Sequence, residues 1–522
     1  VSGKGVNKYT AGTAIAILPF FGFASLVAFI DNDIADGYSA PFQKAVSIAA
    51  LFYLLAGLWF LKKFLSSFGI NDIIISAVIL LIVFGTNLLT YTVIEPSMSH
   101  IYSFCFVTSL LFCINKLIES GKIKYFFICT VLLGMIILIR PVNGLIVFIV
   151  PFLAGSFENS KRLLKVIAKA KFLVAAILIF FCLISVQFIL WYIQTGSFFL
   201  WSYQKEGFNF GSPQIFNFLF SFRKGLFIYT PIAFVSLAGL IGIFKRSKFE
   251  FFSLTLFLLL LIYVFSSWWN WYYGPSFGQR VFVEYYCITG LLLAILIKTT
   301  RNNFAKVAIY FLLFLFVALN LIQNYQYQKG IISSWDMTFN KYSYTFLKTS
   351  NEYIDCLGGN DDILPYNSER KLLFQDSVGF DVQNKYCQVA TINTDTISRS
   401  IVSDFTDKEF NIMLNIPVNE NFITKRVLFA EISLDRLELV PFSCSSALLV
   451  FDISDSTGKN YFYYRFHIND IPLKETGKWK TFRYNVELPK LKSEKDKMNI
   501  FIWNIKKQPF YIDNFEVKIF TI

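Results

Sequence analysis

Residues 268–286 read WWNWYYGPSFGQRVFVEYY and lie between two apolar runs, 251–267 and 287–297. Gly274, Pro275 and Gly278 interrupt helical geometry, which predicts a shaped loop joining two membrane spans. Trp and Tyr collect at the membrane–water boundary, so anchoring accounts for most of these rings. It does not account for Arg280 and Glu284, a guanidinium and a carboxylate in one aromatic loop. Which side of a membrane that pair faces organises the reading of the rest.

Outward from the loop, apolar runs dominate residues 1–329, and the whole chain is 55% hydrophobic with 61 Phe, too apolar for an ordinary soluble protein. A helix needs about 20 apolar residues to cross the hydrocarbon core. Candidate spans fall at 42–61, 72–93, 99–115, 125–139, 142–156, 172–194, 226–244, 251–268, 286–297 and 304–323. Cations gather in alternate loops: Lys62 and Lys63; Lys116, Lys122 and Lys124; Lys161, Arg162, Lys165, Lys169 and Lys171; Lys245, Arg246 and Lys248; Lys298, Arg301 and Lys306. The positive-inside bias makes that side cytoplasmic. The opposite side then carries 94–98, Arg140, 195–225, the aromatic loop and everything after 324. The net charge of +13 is explained by topology, which removes the argument for a nucleic-acid partner.

The segment 11–30 fits this alternation poorly. Pro19 interrupts it and DNDIADGYSAP follows, so an interfacial or re-entrant helix is expected, with a further span encoded before Val1. Residues 330–365 read as a helical connector. From about 370, short β-branched and aromatic runs alternate with turns such as DSTGKN and KETGKW, which predicts an all-β sandwich. In Tyr461–His467 rings alternate, and one set is expected to pack inward. Cys356, Cys387 and Cys444 leave room for one disulfide, and no Cys or His spacing matches a metal site. The expected organisation is 1–40 outer juxtamembrane, 41–325 multi-span, 326–369 connector and 370–522 sandwich.

Several outer cations run against the bias: Lys8, Arg140, Lys205, Arg223, Lys224 and Arg280. Arg223-Lys224 opens a span at bilayer-surface depth, where a phosphate or a lipid headgroup would sit. Glu95 precedes Pro96 and is expected to cap the next span, with His100 one turn further in. Ionisable groups at membrane depth point to function.

Five stretches together resemble the GT-C membrane glycosyltransferases, the superfamily of protein O-mannosyltransferases and aminoarabinose transferases, in a bacterial branch. They are NKYTAGTAIAILPFF (7–21), EPSMSHIYSF (95–104), LIRPVNGLIVF (138–148), FSFRKGLFIYTP (220–231) and 268–286. The resemblance covers roughly residues 1–325. It implies an α-helical polytopic membrane protein that moves a sugar from a polyprenyl-phosphate donor to a glycan, lipid or protein acceptor outside the cytoplasm, usually with inversion. It implies Glu95 and His100 as catalytic groups, with the main acidic base upstream of Val1, because Asp31, Asp33 and Asp36 come after the matching segment. Lys8, Arg140, Arg223, Lys224 and Arg280 are the implied donor-phosphate contacts, and Trp271, Tyr273 and Glu284 the sugar or acceptor contacts. No cofactor is demanded, although a divalent cation is compatible. The bacterial inner membrane is the implied location. The ending MNIFIWNIKKQPFYIDNFEVKIFTI resembles the closing strands of jelly-roll carbohydrate-binding modules. The competing classes are a transporter or lipid flippase with a soluble appendage, and a non-catalytic membrane scaffold.

Overall fold

The computed structural model describes residues 6–32, 34–203, 206–360, 362, 370–381, 384–395, 400–423, 427–441, 447–472 and 475–521. It divides into two compact units, 1–324 and 325–522. Lys205, Asp33 and Cys444 fall outside the described residues.

The first unit is helical. Its longer helices are α1 (Gly12–Ile30), α2 (Ala40–Ser67), α3 (Asp72–Phe84), α4 (His100–Ser120) and α5 (Ile123–Ile139). The short α6 (Val150–Ala154) and α7 (Phe157–Ile167) lead to α8 (Ala170–Thr195) and α9 (Ile215–Phe220). Then come α10 (Leu226–Tyr229), α11 (Pro231–Ser236), α12 (Gly239–Arg246), α13 (Lys248–Ser266), α14 (Tyr286–Thr299) and α15 (Asn303–Gln328). Among the described residues seven helical stretches are long and apolar enough to cross a bilayer, so the chain is a multi-pass membrane protein.

Five expectations change here. Pro19 does not break α1, which runs unbroken for 19 residues and matches a span in length and composition rather than only an interfacial segment; proline is tolerated where packing in lipid re-satisfies the freed carbonyl. The expected span at 72–93 ends at Phe84, and a π-helical turn follows at Thr90–Ile94. Glu95 is therefore no helix N-cap: it closes that π turn, and α4 starts only at His100 behind Ser99. The expected span at 142–156 is a 3-10 helix, Pro141–Ile149, continued by α6, with α7 turned away at 120°. The loop 268–286 is also shorter than read, because Arg280–Tyr285 is already 3-10 helix feeding α14.

The lysine-rich loops converge. Lys298 Nζ donates to the carbonyl of Gly69 at 2.8 Å, Arg246 lies over the Phe68 ring at 5.8 Å, and Phe68 stacks on Phe152 at 6.1 Å. The other end gathers 8–12, 87–100, Arg140, 202–203, 206–209 and 267–285. There Gly12 sits so close to the backbone of Ile139 that a β-carbon would lie 2.3 Å from its nitrogen.

The second unit continues from the end of α15 through α16 (Phe339–Thr345) into two antiparallel sheets. Its strands are β1 (Lys371–Val378), β2 (Cys387–Val389), β3 (Ile392–Thr394), β4 (Ile401–Asp404), β5 (Phe410–Ile416), β6 (Leu428–Glu438), β7 (Ala447–Ser454), β8 (Asn460–His467), β9 (Trp479–Leu488), β10 (Lys497–Asn504) and β11 (Phe510–Thr521). One sheet runs β3-β4-β11-β6-β9 with β1 also on β11; the other runs β2-β5-β10-β7-β8. Inward residues of both sheets form one apolar core, as a sandwich requires. Within β8, Phe466 is buried while Tyr463 and Arg465 face out, as the alternation predicted. Cys356 and Cys387 are buried free thiols.

One charged pair sits inside this sandwich. Arg436 and Glu438 are both fully buried, 2.7 Å apart, with Arg436 over the Phe510 ring at 3.8 Å and Asn469 donating to Glu438 at 3.0 Å. Removing one partner leaves the other charge stranded. Arg436→Ala should cost about 3–5 kcal/mol of stability, whereas Arg436→Met with Glu438→Leu should recover most of it. Chemical unfolding of the three proteins checks this order.

Candidate functional site at the mouth of the helical unit

Proline places the first functional side chain. Pro141 disfavours a helical residue before it, and Arg140 is extended at φ −150°, ψ 107°, so α5 ends there and the guanidinium turns inward. Two residues further into the following 3-10 helix, Asn143 is buried. From α4 comes His100, its first residue, and from the 3-10 turn before α14 comes Glu284.

These side chains meet at one carboxylate oxygen. Glu284 Oε1 lies 3.1 Å from His100 Nδ1, 3.3 Å from Arg140 Nη1 and 3.3 Å from Asn143 Nδ2. The His100 contact is a hydrogen bond when Nδ1 carries the proton. Asn143 also donates to Ser103 Oγ at 2.9 Å and accepts from Tyr285 Oη at 3.3 Å. Arg140 Nη1 reaches 3.0 Å from His100 Nδ1, so arginine, histidine and carboxylate form one compact group. Glu284 and His100 are 0% and 2% exposed. A carboxylate at that burial requires such partners.

Three polar atoms beside this group have none. Glu284 Oε2, Arg280 Nε and Gln279 Oε1 are buried without a hydrogen-bond partner among the described residues. They lie within six consecutive residues. Buried polar atoms are normally satisfied, so these exceptions are candidates for contact with a polar ligand. Arg280 Nη1 makes its contact with Met98 Sδ at 3.6 Å.

Tyr273 lies in the electrostatic field of Arg140, Arg280 and Glu284, and burial pushes its phenol upward, so it stays neutral. It adopts φ +59°, unusual for a side chain other than glycine, and is held by its hydroxyl on the carbonyl of Phe265 at 2.9 Å. Lys8 stands at the rim, 2.5 Å from Glu206 and 5.0 Å above the Tyr203 ring, which itself feels Arg140. Glu95 is half-buried at the same mouth, its backbone N–H donating to Thr90 at 2.8 Å.

Other expected contacts serve the loop itself. Lys224 is buried and its ammonium donates to the carbonyl of Ser276. Arg223 stacks on Tyr272 at 3.7 Å. Trp271 is buried, packs edge-on against Tyr272, and its carbonyl accepts from Gln279 at 3.2 Å. Thus His100, Arg140 and Glu284 come into contact, Arg280 and Tyr273 flank them, and Arg223, Lys224 and Trp271 shape the loop.

Sequence reasoning missed Asn143 and Tyr91. Asn143 lies within the quoted RPVNG stretch, so its signal was present. Tyr91 carried none, yet its hydroxyl donates to the Phe277 carbonyl at 3.0 Å and accepts from the Phe277 N–H at 3.1 Å, while its ring packs on His100 at 4.9 Å. Asn87 adds a bond to the same carbonyl at 2.8 Å. Tyr91→Phe leaves a buried N–H without its acceptor, which should lower stability by roughly 1–3 kcal/mol and open 270–279 to protease. Limited proteolysis in detergent measures both effects.

Among the described residues no three His, Cys, Asp or Glu side chains come together to hold a metal ion. No protein-family model matches the chain, and no curated protein matches it. Among solved structures, the arabinosyltransferase EmbB from Mycobacterium smegmatis aligns at 11% identity and a TM-score of 0.35 over 91% of this chain and 57% of that one. The chain thus spans little more than half the length of that protein, and a likeness of this degree fixes neither substrate nor reaction.

Proposed function

We propose that this protein is a glycosyltransferase of the extracytoplasmic membrane face, moving a sugar from a polyprenyl-phosphate donor to a glycan, lipid or protein acceptor with inversion. The carrying observation is the unpartnered edge of Gln279, Arg280 and Glu284 beside the Arg140–His100 group. Sugar hydroxyls and a phosphate oxygen are the ligand chemistry that such an edge satisfies. The alternating lysine-rich loops support a bacterial inner membrane location with this mouth outside.

In the proposed reaction the acceptor hydroxyl attacks the anomeric carbon as the bond to the lipid phosphate breaks on the opposite face. Charge grows on the departing phosphate, and Arg280 with Arg140 meets it. Lys8 extends this cationic rim, and Arg223 and Lys224 act by holding the loop. The unpaired Glu284 oxygen accepts from a sugar hydroxyl, with Tyr273 and Trp271 forming the wall. The proton lost by the acceptor passes to a base; His100, oriented by Glu284, serves on this side, with Glu95 at the mouth. A divalent cation would meet two arginines here rather than a carboxylate cluster, so the arginines supply the phosphate's countercharge.

Interrupted helices at 84–100, 139–150 and 229–239 favour the transporter reading as the second choice, because broken helices line transport sites. One assay separates the two. The protein in nanodiscs, given a polyprenyl-phosphate sugar and an acceptor, should release polyprenyl phosphate in step with product. Arg280→Gln should lower kcat by about 10²–10³-fold. Movement of intact donor across the bilayer without phosphate release would overturn the transferase.

A further inference from the structure

One contact at the mouth has no place in the reaction as proposed. Met98 lies in the turn after the π-helical residues 90–94, its N–H donating to the Glu95 carbonyl at 3.1 Å, and two residues later His100 opens α4. From that turn the thioether sulfur of Met98 reaches 3.6 Å from Arg280 Nη1. A side chain of one segment therefore ends on the guanidinium of another.

A thioether is a weak acceptor, whereas a guanidinium bonds best to carboxylate or phosphate oxygen. Such an oxygen stands four residues away, since Glu284 Oε2 is buried without a partner among the described residues. Yet Glu284 pairs with His100 and Arg140 through its other oxygen, and among the described residues Arg280 joins no ion pair. Arg280 Nε is also buried without a partner there. The guanidinium is thus held with sulfur on one nitrogen and an unmet N–H on another. Arg140, by contrast, is engaged by Glu284 Oε1 at 3.3 Å. Replacing sulfur by a phosphate oxygen exchanges a weak contact for a charge-assisted one, and the unbranched methionine chain can turn aside to allow it.

We infer that Met98 is a placeholder for an anionic headgroup. Its sulfur occupies the guanidinium nitrogen that a phosphate oxygen takes over, and so sets how tightly that phosphate binds. Met98 is a positioning residue, acting through Arg280. Its role rests on the reading above that Arg280 meets the donor phosphate, and not on whether a sugar is then transferred.

The test measures binding to the full chain in detergent of farnesyl phosphate, a short polyprenyl phosphate, and of farnesol, which has the same chain without the charge. The unaltered protein should prefer the phosphate by roughly tenfold or more, and Arg280→Gln should lose that preference. Met98→Gln keeps the length of the side chain but offers Arg280 an amide oxygen, a stronger acceptor that the phosphate must displace. It should weaken farnesyl phosphate by roughly ten- to a hundredfold and leave farnesol unchanged. Met98→Leu keeps the bulk without the acceptor, and should bind the phosphate as tightly or up to about threefold tighter. A packing role alone would shift phosphate and alcohol together.

If the unaltered protein shows no preference, or Arg280→Gln keeps it, the phosphate contact at Arg280 falls and this inference with it. If Arg280→Gln loses the preference while Met98→Gln binds the phosphate as the unaltered protein does, the inference alone is overturned. Should Met98→Gln fail to fold, Met98→Leu decides: phosphate binding as tight or tighter upholds the placeholder, and binding weakened by more than about threefold overturns it.

Discussion

A carboxylate inside a membrane protein is unfavourable unless its charge is answered, and Glu284 is answered on one oxygen by a histidine, an arginine and an amide drawn from two other segments. That requirement explains why the chain departs from regular helix where it does. Arg140 can reach Glu284 because Pro141 ends α5, and Asn143 because a 3-10 helix follows instead of a straight span. Glu284 itself sits on the tight turn before α14. Each irregularity turns backbone polar groups and a side chain toward the same small volume, where protein covers what lipid could not.

The aromatic loop depends on that volume from above. It is held by the Tyr91 and Asn87 contacts at Phe277, by Lys224 at Ser276 and by left-handed Tyr273, Gly274 and Gly278. At Gly278 a β-carbon would press on Tyr229 at 3.0 Å, so the close approach as well as the positive φ calls for glycine. The rings that sequence composition assigns to anchoring are here partly structural. Trp268 packs edge-on against Tyr203 and Phe208, joining the loop to these two rings.

Much of this was legible in the sequence. Apolar length located the longer spans, and lysine spacing grouped loops of which Lys298 and Arg246 meet at Phe68 and Gly69. Period-two patterning exposed the sandwich, since strands such as β6 and β10 alternate between buried and less buried residues. Hydropathy could not separate a straight span from a broken one, because a 3-10 or π turn uses the same apolar residues. Hence 72–93, 142–156 and the Glu95 cap were misread. Arg140, His100 and Glu284 stood out because charge is costly at their depth. Asn143 and Tyr91 did not, because a neutral amide and a tyrosine are common in such chains and reveal their role only through partners distant in sequence.

The contact between Gly12 and Ile139 has a mechanical meaning. With no side chain between them, two backbones touch directly, and the Thr10 hydroxyl donates to the Ile139 carbonyl at 3.2 Å. The stretch that carries Lys8 and the turn that carries Arg140 are thereby held in direct backbone contact. A tug on the Lys8–Glu206 clasp at the surface is felt one residue away from the guanidinium that touches Glu284, with no soft side chain in between to absorb it.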